Sequence, residues 1–176
     1  MTRVLVVHAS QFGSTRQIAE RIGRRLQEGG VDVTVVPAEG APDPAAFDGV
    51  VIGSAVHGGH WLAAATGYAR RHRASLSRRP VWLFSSGPLG DRAVAAPQPD
   101  PKELGEFRRA IAPRDHVVFA GSFDRATADF SGLGFVGRTV VRRFLPDGDW
   151  RDWPAIERWA GTIDRAHPGS RVAASR

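Results

Sequence analysis

The sequence contains no cysteine, and Lys102 is the only lysine among its 24 basic residues. Without thiols the chain can form no disulfide, no thiolate metal site and no cysteine nucleophile, so redox chemistry would need a bound cofactor. Long apolar runs are also missing, because Val4–Ala9 is far too short for a membrane span or a signal peptide. We therefore predict a cytoplasmic protein.

Several common site motifs are absent as well. Neither the G-x-x-x-x-G-K-[ST] spacing of nucleotide triphosphatases nor the G-x-G-x-x-G turn of NAD-binding domains occurs. His57 and His60 stand three residues apart with no carboxylate or cysteine beside them, so we predict no metal site. No residue is identified as a general acid or base.

What is present indicates one folded domain with a basic surface. The 176 residues are 42% apolar and 24% charged, which is ordinary for a globular protein, and the net charge is +6. This charge favours an anionic partner, such as a lipid surface, an acidic protein or a carboxylate substrate. No nucleic-acid motif is found, and a homodimer is left open. We assign residues 1–166 to one domain and 167–176 to a polar tail.

Strands and helices alternate along the chain, which predicts an α/β fold with a parallel sheet. The predicted strands are apolar on both faces, as in a sheet covered by helices on both sides. They are Val4–Val7, Val31–Val36, Gly49–Ser54, Pro80–Phe84 and His116–Gly121. Helices are predicted after Ser14, after Trp61 to about Arg73, after Asp100, over Leu133–Phe144 and after the cap residue Asp152.

The loop Ser10–Thr15 connects the first strand to the first helix. Ser14 is predicted to cap this helix, with Gln17 completing a capping box. The first N–H groups of a helix have no intrahelical partner and lie at its positive end, so they can hold a phosphate. Gly13 allows close approach, and the loop hydroxyls can donate hydrogen bonds. A monophosphate cradle and an ordinary capped turn are equally good interpretations of the hexapeptide alone.

The hexapeptide Ser10-Gln11-Phe12-Gly13-Ser14-Thr15 resembles the T/S-x-T/S-G-x-T phosphate loop of flavodoxins. The resemblance implies FMN as the cofactor and a flavodoxin-like, doubly wound, five-stranded parallel sheet in the order 2-1-3-4-5, with helices on both faces. Phe12 departs from the pattern, since flavodoxins usually carry a hydroxyl there. One hydrogen bond to the phosphate must therefore come from elsewhere or be lost.

Two further loops follow the third and fourth strands and are predicted to reach the same crevice. By resemblance, a peptide carbonyl beside Gly58 accepts a hydrogen bond from the flavin, and the loop after the fourth strand holds the pyrimidine side of the ring. The predicted FMN contacts are Ser10, Gln11, Phe12, Gly13, Ser14, Thr15, Ala55, Val56, His57, Gly58, Ser86, Gly87, Pro88, Leu89 and Gly90.

Three aromatic side chains near these loops allow different roles. Trp61 could cover the flavin, but we favour packing, and His57 is the better candidate for a polar contact or proton relay. The loops lack the tyrosine that stacks on the flavin in electron-carrier flavodoxins, since the single tyrosine, Tyr68, falls in a predicted helix. An uncovered ring would leave one face for a substrate.

The whole pattern resembles the flavodoxin-domain proteins grouped with menaquinone-dependent protoporphyrinogen IX dehydrogenase. The resemblance implies an FMN-dependent oxidoreductase with a small-molecule substrate or quinone, involved in heme biosynthesis. The helix over Leu133–Phe144 carries Arg138, Arg142 and Arg143 on one side. It either packs on the sheet with a solvated face, the simpler interpretation, or contacts the inner face of the membrane or a quinone-bearing partner. Two alternatives remain, a one-electron carrier and a flavin-free interaction domain.

Overall fold

A computed structural model describes residues 1–128, 130, 134, 137, 139, 140, 143 and 145–165. Within these ranges the structure contains eight strands. In chain order they are β1 Arg3–Ala9, β2 Asp32–Pro37, β3 Gly49–His57, β4 His60–Trp61, β5 Val81–Ser86, β6 Asp115–Phe119, β7 Ser122–Phe123 and β8 Gly148–Asp149. No described helix is long and apolar enough to cross a membrane.

The central sheet has the order β2-β1-β3-β5-β6, and its four pairings are all parallel. Counted without the two-residue β4, which pairs antiparallel with β3, this is the predicted order 2-1-3-4-5, and the fold prediction is confirmed. The strand order reverses between β1 and β3. The carboxyl ends of β1, β3 and β5 therefore meet at one edge of the sheet, where open α/β folds bind their ligands.

Helices cover both faces of this sheet. They are α1 Ser14–Glu28, α2 Ala63–Arg71, α3 Arg73–Leu76, α4 Asp91–Ala95, α5 Leu104–Ala110 and α6 Trp153–Arg165. On one face α1 and α6 pack through Ile22, Leu26, Ile156 and Ile163, all fully buried. On the other face α2 and α5 form a second core with β3 and β5. In the sequence the apolar residues of α1, α5 and α6 recur every three or four positions, and these apolar faces are the buried ones.

Two predicted helix starts are wrong. Gly13, and not Ser14, is the N-cap of α1, with a φ of 89° in the left-handed region, and as a glycine it has no side chain to make a capping bond. The helix predicted from Asp100 begins later, at Leu104, because the Asp100 carboxylate pairs with Arg108 at 2.8 Å instead of capping. At α6 the prediction is confirmed, since Asp152 accepts a hydrogen bond from the N–H of Ala155 at 2.9 Å.

Several boundaries also differ from the prediction. The third strand continues to His57, and β5 extends through Ser85 and Ser86, both buried. The predicted helix after Trp61 breaks at His72 into α2 and α3, and the segment between the fourth strand and the helix predicted from Asp100 contains the short α4. Most residues of the predicted helix Leu133–Phe144, and the whole 167–176 tail, lie outside the described residues.

Candidate functional site

The phosphate loop lies directly beyond the carboxyl end of β1. The Ser10 hydroxyl accepts a hydrogen bond from the N–H of Gly13 at 3.1 Å, and the Gly13 carbonyl accepts the first helical bond, from Gln17, at 3.0 Å. The positive φ of Gly13 turns the chain into α1, a conformation that costs little only for glycine. The turn thus places a helix N-terminus at the edge where the strand order reverses.

The loop presents a set of free hydrogen-bond donors. The backbone N–H groups of Gln11, Phe12, Ser14, Thr15 and Arg16 have no acceptor among the residues that the structure describes. Consecutive unpaired N–H groups at a helix N-terminus form an anion-binding concavity. This arrangement satisfies the donor requirement of a phosphate, and the N–H of Phe12 contributes even though its side chain has no hydroxyl.

The loop hydroxyls are oriented as donors by their neighbours. Ser10 accepts from Gly13, and Ser14 accepts from the N–H of Ser122 at 2.9 Å, so each keeps its own proton to donate elsewhere. Thr15 is 1% exposed, and its hydroxyl has no partner within the described chain. Three hydroxyl protons are thus available to an anion in this loop.

The second loop is a tight hairpin between β3 and β4. Gly58 and Gly59 have φ values of 58° and 80°, which fits a two-residue turn that requires glycine-like conformations. The Glu103 carboxylate fixes this hairpin by contacting Nδ1 of His60 at 2.7 Å and accepting from the N–H of Trp61 at 3.1 Å. Burial raises the pKa of Glu103, but these hydrogen bonds outweigh it, and the pKa is lowered.

The third loop follows β5 and packs closely against the second. A Cβ on Gly87 would stand 3.4 Å from the carbonyl oxygen of Val56, so little space separates the two loops. The N–H of Gly87 donates to Phe119 at 3.3 Å, and the carbonyl of Pro88 accepts from Gly121 at 3.0 Å. These bonds tie the third loop to the segment that follows β6.

Sequence reasoning missed a fourth wall, which β7 and β8 form after β6. A Cβ on Gly121 would stand 3.1 Å from Leu89 Cδ2 and 3.6 Å from the hydroxyls of Ser14 and Ser86, so only glycine fits without movement. Ser122 contacts the phosphate loop, as described above, and Leu145 lines the same cavity. The one local signal for this wall was the pair Gly121-Ser122 near the end of the predicted fifth strand. However, β8, which pairs with β7, lies 26 residues further along the chain.

The four walls enclose a cavity of about 180 Å³. All of the predicted contact residues line it except Gly13, Pro88 and Gly90, and Gly121, Ser122 and Leu145 line it in addition. The volume is smaller than that of sites that enclose a whole cofactor, so the cavity would hold only part of an FMN molecule. Within the described ranges no cluster of three or more histidine or acidic residues is suited to a metal ion.

Aromatic rings form one side of this cavity. The Phe12 ring stands 5.3 Å from Phe123, 6.0 Å from Phe130 and 6.4 Å from His57, measured between centroids. Partial burial lowers the pKa of His57, which favours its neutral form at the cavity edge. Phe12 therefore joins the phosphate loop to the segment after β7, which gives its side chain a packing role.

The two remaining aromatic candidates lie in the core. Trp61 is 4% exposed, stacks near Phe107 and donates its indole N–H to the Ser85 hydroxyl at 2.8 Å. Tyr68 is fully buried and donates to the Pro42 carbonyl at 2.9 Å, and burial raises its pKa. Both have the packing role that the sequence favoured.

Buried neutral histidines predict that acid destabilises the fold. The His116 side chain is 6% exposed, contacts the Ser85 hydroxyl at 2.8 Å, and has its pKa lowered by burial below the ordinary 6.5. Below about pH 6.5 the unfolded chain binds a proton that the folded chain does not yet bind, so the free energy of unfolding falls with pH. Urea unfolding at pH 7.5 and 5 tests this, and His116→Gln should reduce the loss. An equal loss in the variant would contradict the assignment.

This sheet order, with a phosphate loop after the first strand and two further loops at the same edge, defines a flavodoxin-like α/β protein. A family model described as a flavodoxin domain matches residues 5–144, and the chain belongs to this family. Membership of the flavodoxin domain family and the similarity in fold to flavodoxins indicate FMN as the cofactor, in agreement with the sequence prediction. The free donors of the phosphate loop fit the phosphate of this cofactor.

Among curated proteins, the chain is similar to protoporphyrinogen IX dehydrogenase [quinone] of Escherichia coli K12, with 27% identity over 85 residues. That match spans 47% of this chain and 47% of the relative, so about half of each is compared.

Among solved structures, a flavodoxin from Archaea has a TM-score of 0.62 at 16% identity, and the match covers 94% of this chain and 98% of the archaeal chain. Rubredoxin oxygen:oxidoreductase of Desulfovibrio gigas has a TM-score of 0.61 at 15% identity, covering 94% of this chain and 36% of its own. Such identities show a shared fold.

Proposed function

We propose that the chain is an FMN-dependent oxidoreductase that oxidises a porphyrinogen and passes the electrons to a quinone. The main support for an enzyme, rather than an electron carrier, is the position of Tyr68 and Trp61. Both side chains are buried and hydrogen-bonded in the core. Neither can cover a flavin, and in this proposal the ring face that the cavity lining leaves uncovered receives the substrate. The partial match to protoporphyrinogen IX dehydrogenase supports the substrate class.

In this proposal the chain binds and orients FMN, which supplies the redox chemistry. Ser10, Ser14, Thr15 and the free N–H groups around them hold the phosphate. The hairpin at Gly58 presents backbone groups to the ring, and Glu103 keeps that hairpin in place through His60 and Trp61. Val56 and Leu145 line the cavity with apolar surface and exclude water.

We further propose that the chain contacts an anionic membrane surface without membrane insertion, which keeps it close to the quinone pool. Arg71, Arg73 and Arg78 are exposed on α2, α3 and the turn that follows, and they form no ion pair within the described part of the chain. Exposed arginines are attracted to anionic lipid. They precede β5 and so lie toward the amino edge of the sheet, opposite the phosphate loop, which leaves the cavity mouth free. A homodimer is compatible with the same contact.

Anaerobic turnover tests the proposal. The FMN-loaded protein is mixed with protoporphyrinogen IX and menadione, and the fluorescence of protoporphyrin is followed. We expect catalytic formation of protoporphyrin, slowed at least tenfold by loss of FMN in the phosphate-loop variant described below. A second arm supplies menaquinone in phosphatidylglycerol vesicles, where replacing the three arginines by glutamine should slow only the vesicle reaction. Stoichiometric reduction without turnover would contradict the enzymatic role.

A flavodoxin-type electron carrier is the second candidate. The archaeal flavodoxin matches nearly the full length of both chains, which supports a domain without added catalytic parts. A carrier would exchange single electrons with a partner protein and show no porphyrinogen turnover. Redox titration separates the two, since an enzyme of the proposed kind takes up two electrons together and a carrier takes them up in two resolved steps.

A further inference from the structure

A second concave surface lies behind the phosphate loop, between the start of α1 and the end of β2. We call it the rear groove; its volume is about 590 Å³, within the range of small-molecule sites. It shares Ser10, Gln11 and Phe12 with the FMN cavity and is otherwise lined by different residues, among them His8, Arg16, Glu20, Val35, Pro37 and Glu39. Gly13, a predicted FMN contact, also lines the groove, but these six side chains are not among the predicted FMN contacts.

His8 is a buried polar side chain on the wall of the rear groove. It is 7% exposed, and its Nδ1 is shielded from solvent with no hydrogen-bond partner among the described residues. A buried N–H without an acceptor is rarer than an unused lone pair, so we assign the proton to Nε2. Burial lowers the pKa of His8 despite the nearby Glu20, which leaves a neutral donor at pH 7.

Charged side chains line both ends of the rear groove, the ion pair of Arg16 and Glu20 at the loop end and Glu39 at the strand end. At the loop end, Nη2 of Arg16 stands 3.8 Å from where a Cβ on Gly13 would lie, and its Nε is 3.8 Å from the Glu20 carboxylate. At the strand end, Glu39 follows β2 by two residues, is exposed, and has no ion pair or hydrogen bond in the described ranges. Between them, Val35 and Pro37 supply apolar surface.

We propose that the rear groove binds a ribonucleoside 5′-phosphate, either alone or as half of a dinucleotide. Arg16 receives the phosphate, Glu39 accepts hydrogen bonds from the ribose hydroxyls, and Val35 and Pro37 contact the sugar or base. An acidic residue after the second strand has this role in dinucleotide-binding α/β proteins. The chain lacks their glycine-rich turn, and the phosphate therefore falls on a side chain beside the loop while the helix N-terminus stays free for FMN.

Calorimetric titration of the FMN-loaded full chain tests this site with AMP, its 2′-deoxy analogue and NADH. We expect AMP to bind at least tenfold more tightly than 2′-deoxy-AMP, because only AMP offers both hydroxyls to Glu39. Glu39→Gln should weaken AMP about tenfold and weaken 2′-deoxy-AMP less, because the analogue offers only its 3′-hydroxyl to Glu39. Glu28→Gln, which changes an exposed acid at the far end of α1, should alter neither affinity. FMN absorbance should be the same in all variants.

The NADH arm identifies the source of the nucleotide. Displacement of AMP by NADH supports a dinucleotide, and AMP binding without displacement supports a free mononucleotide. Equal affinity for AMP and its deoxy analogue, an unchanged Glu39→Gln variant, or no AMP binding at millimolar concentration would each overturn the proposal. All of these readouts are independent of porphyrinogen turnover, so failure here and failure of the proposed function are distinguishable.

Discussion

The double variant Ser14→Ala, Thr15→Val should bind FMN about 100-fold more weakly than the unchanged protein. Each lost hydroxyl removes a hydrogen bond to a charged phosphate, worth roughly 1.5–3 kcal/mol, and two such losses give about 3 kcal/mol or more. We expect the loss of the Thr15 hydroxyl to account for most of this drop in FMN affinity, because that hydroxyl has no other partner in the part of the chain that the structure describes. Flavin fluorescence quenching at equilibrium measures the change.

Riboflavin and a conservative variant serve as the controls for this effect. Riboflavin lacks the phosphate, so its weaker binding should be the same in the double variant and the unchanged protein. Thr15→Ser keeps the hydroxyl and should retain most of the FMN affinity. Because Ser14 also accepts from the N–H of Ser122, Thr15→Val alone separates phosphate binding from that wall contact. Parallel losses for FMN and riboflavin would show that the loop does not hold the phosphate.

The Gly53→Ala variant should lose about 3 kcal/mol of folding stability. Gly53 lies in the middle of β3, and a Cβ there would stand 1.9 Å from Cζ of Phe84 on the neighbouring strand β5. Phe84 is fully buried and packs near Phe119 and Trp159, at centroid distances of 6.1 and 6.3 Å, so its ring cannot move aside. Urea unfolding at pH 7.5 measures the loss.

A matched glycine and a compensating change test the steric origin. Gly67 lies within α2, where a Cβ would meet nothing within 4 Å, so Gly67→Ala should be neutral or stabilise by up to about 1 kcal/mol. Phe84→Leu removes the clashing ring atoms and should make Gly53→Ala less costly in the double variant than alone. Additive losses in the two variants would argue against a direct clash.

The sequence predicted the elements that depend on local pattern. Continuous apolar strands such as Val4–Val7 can only be stable when both faces are covered, and this implied the parallel sheet that the structure shows. In α6 the apolar residues Ile156, Trp159, Ala160 and Ile163 recur every three or four positions, a spacing that predicts the buried face, and Asp152 predicted the start of the helix. A flavodoxin-like loop after the first strand led to FMN because phosphate recognition by a helix N-terminus is a local property of strand, turn and helix.

Capping could not be predicted in the same way. A serine at the start of a helix normally caps it, but the Ser14 hydroxyl instead accepts from Ser122, which is 108 residues away in the chain. Asp100 likewise pairs with Arg108 and stands near His116. In both cases a tertiary partner competed with the local backbone for the same polar group.

By itself, then, the sequence determined the sheet, the main helices and three of the four walls of the candidate cavity, because each is built from consecutive residues. Only the tertiary structure decided the fourth wall, where Gly121 must approach Ser14 and Ser86, and the packing of Phe12 against Phe123. It also placed Glu39 and Arg16 on the two ends of one groove around the unpartnered His8. These contacts join residues far apart in the chain, and no spacing rule encodes which distant side chains will meet.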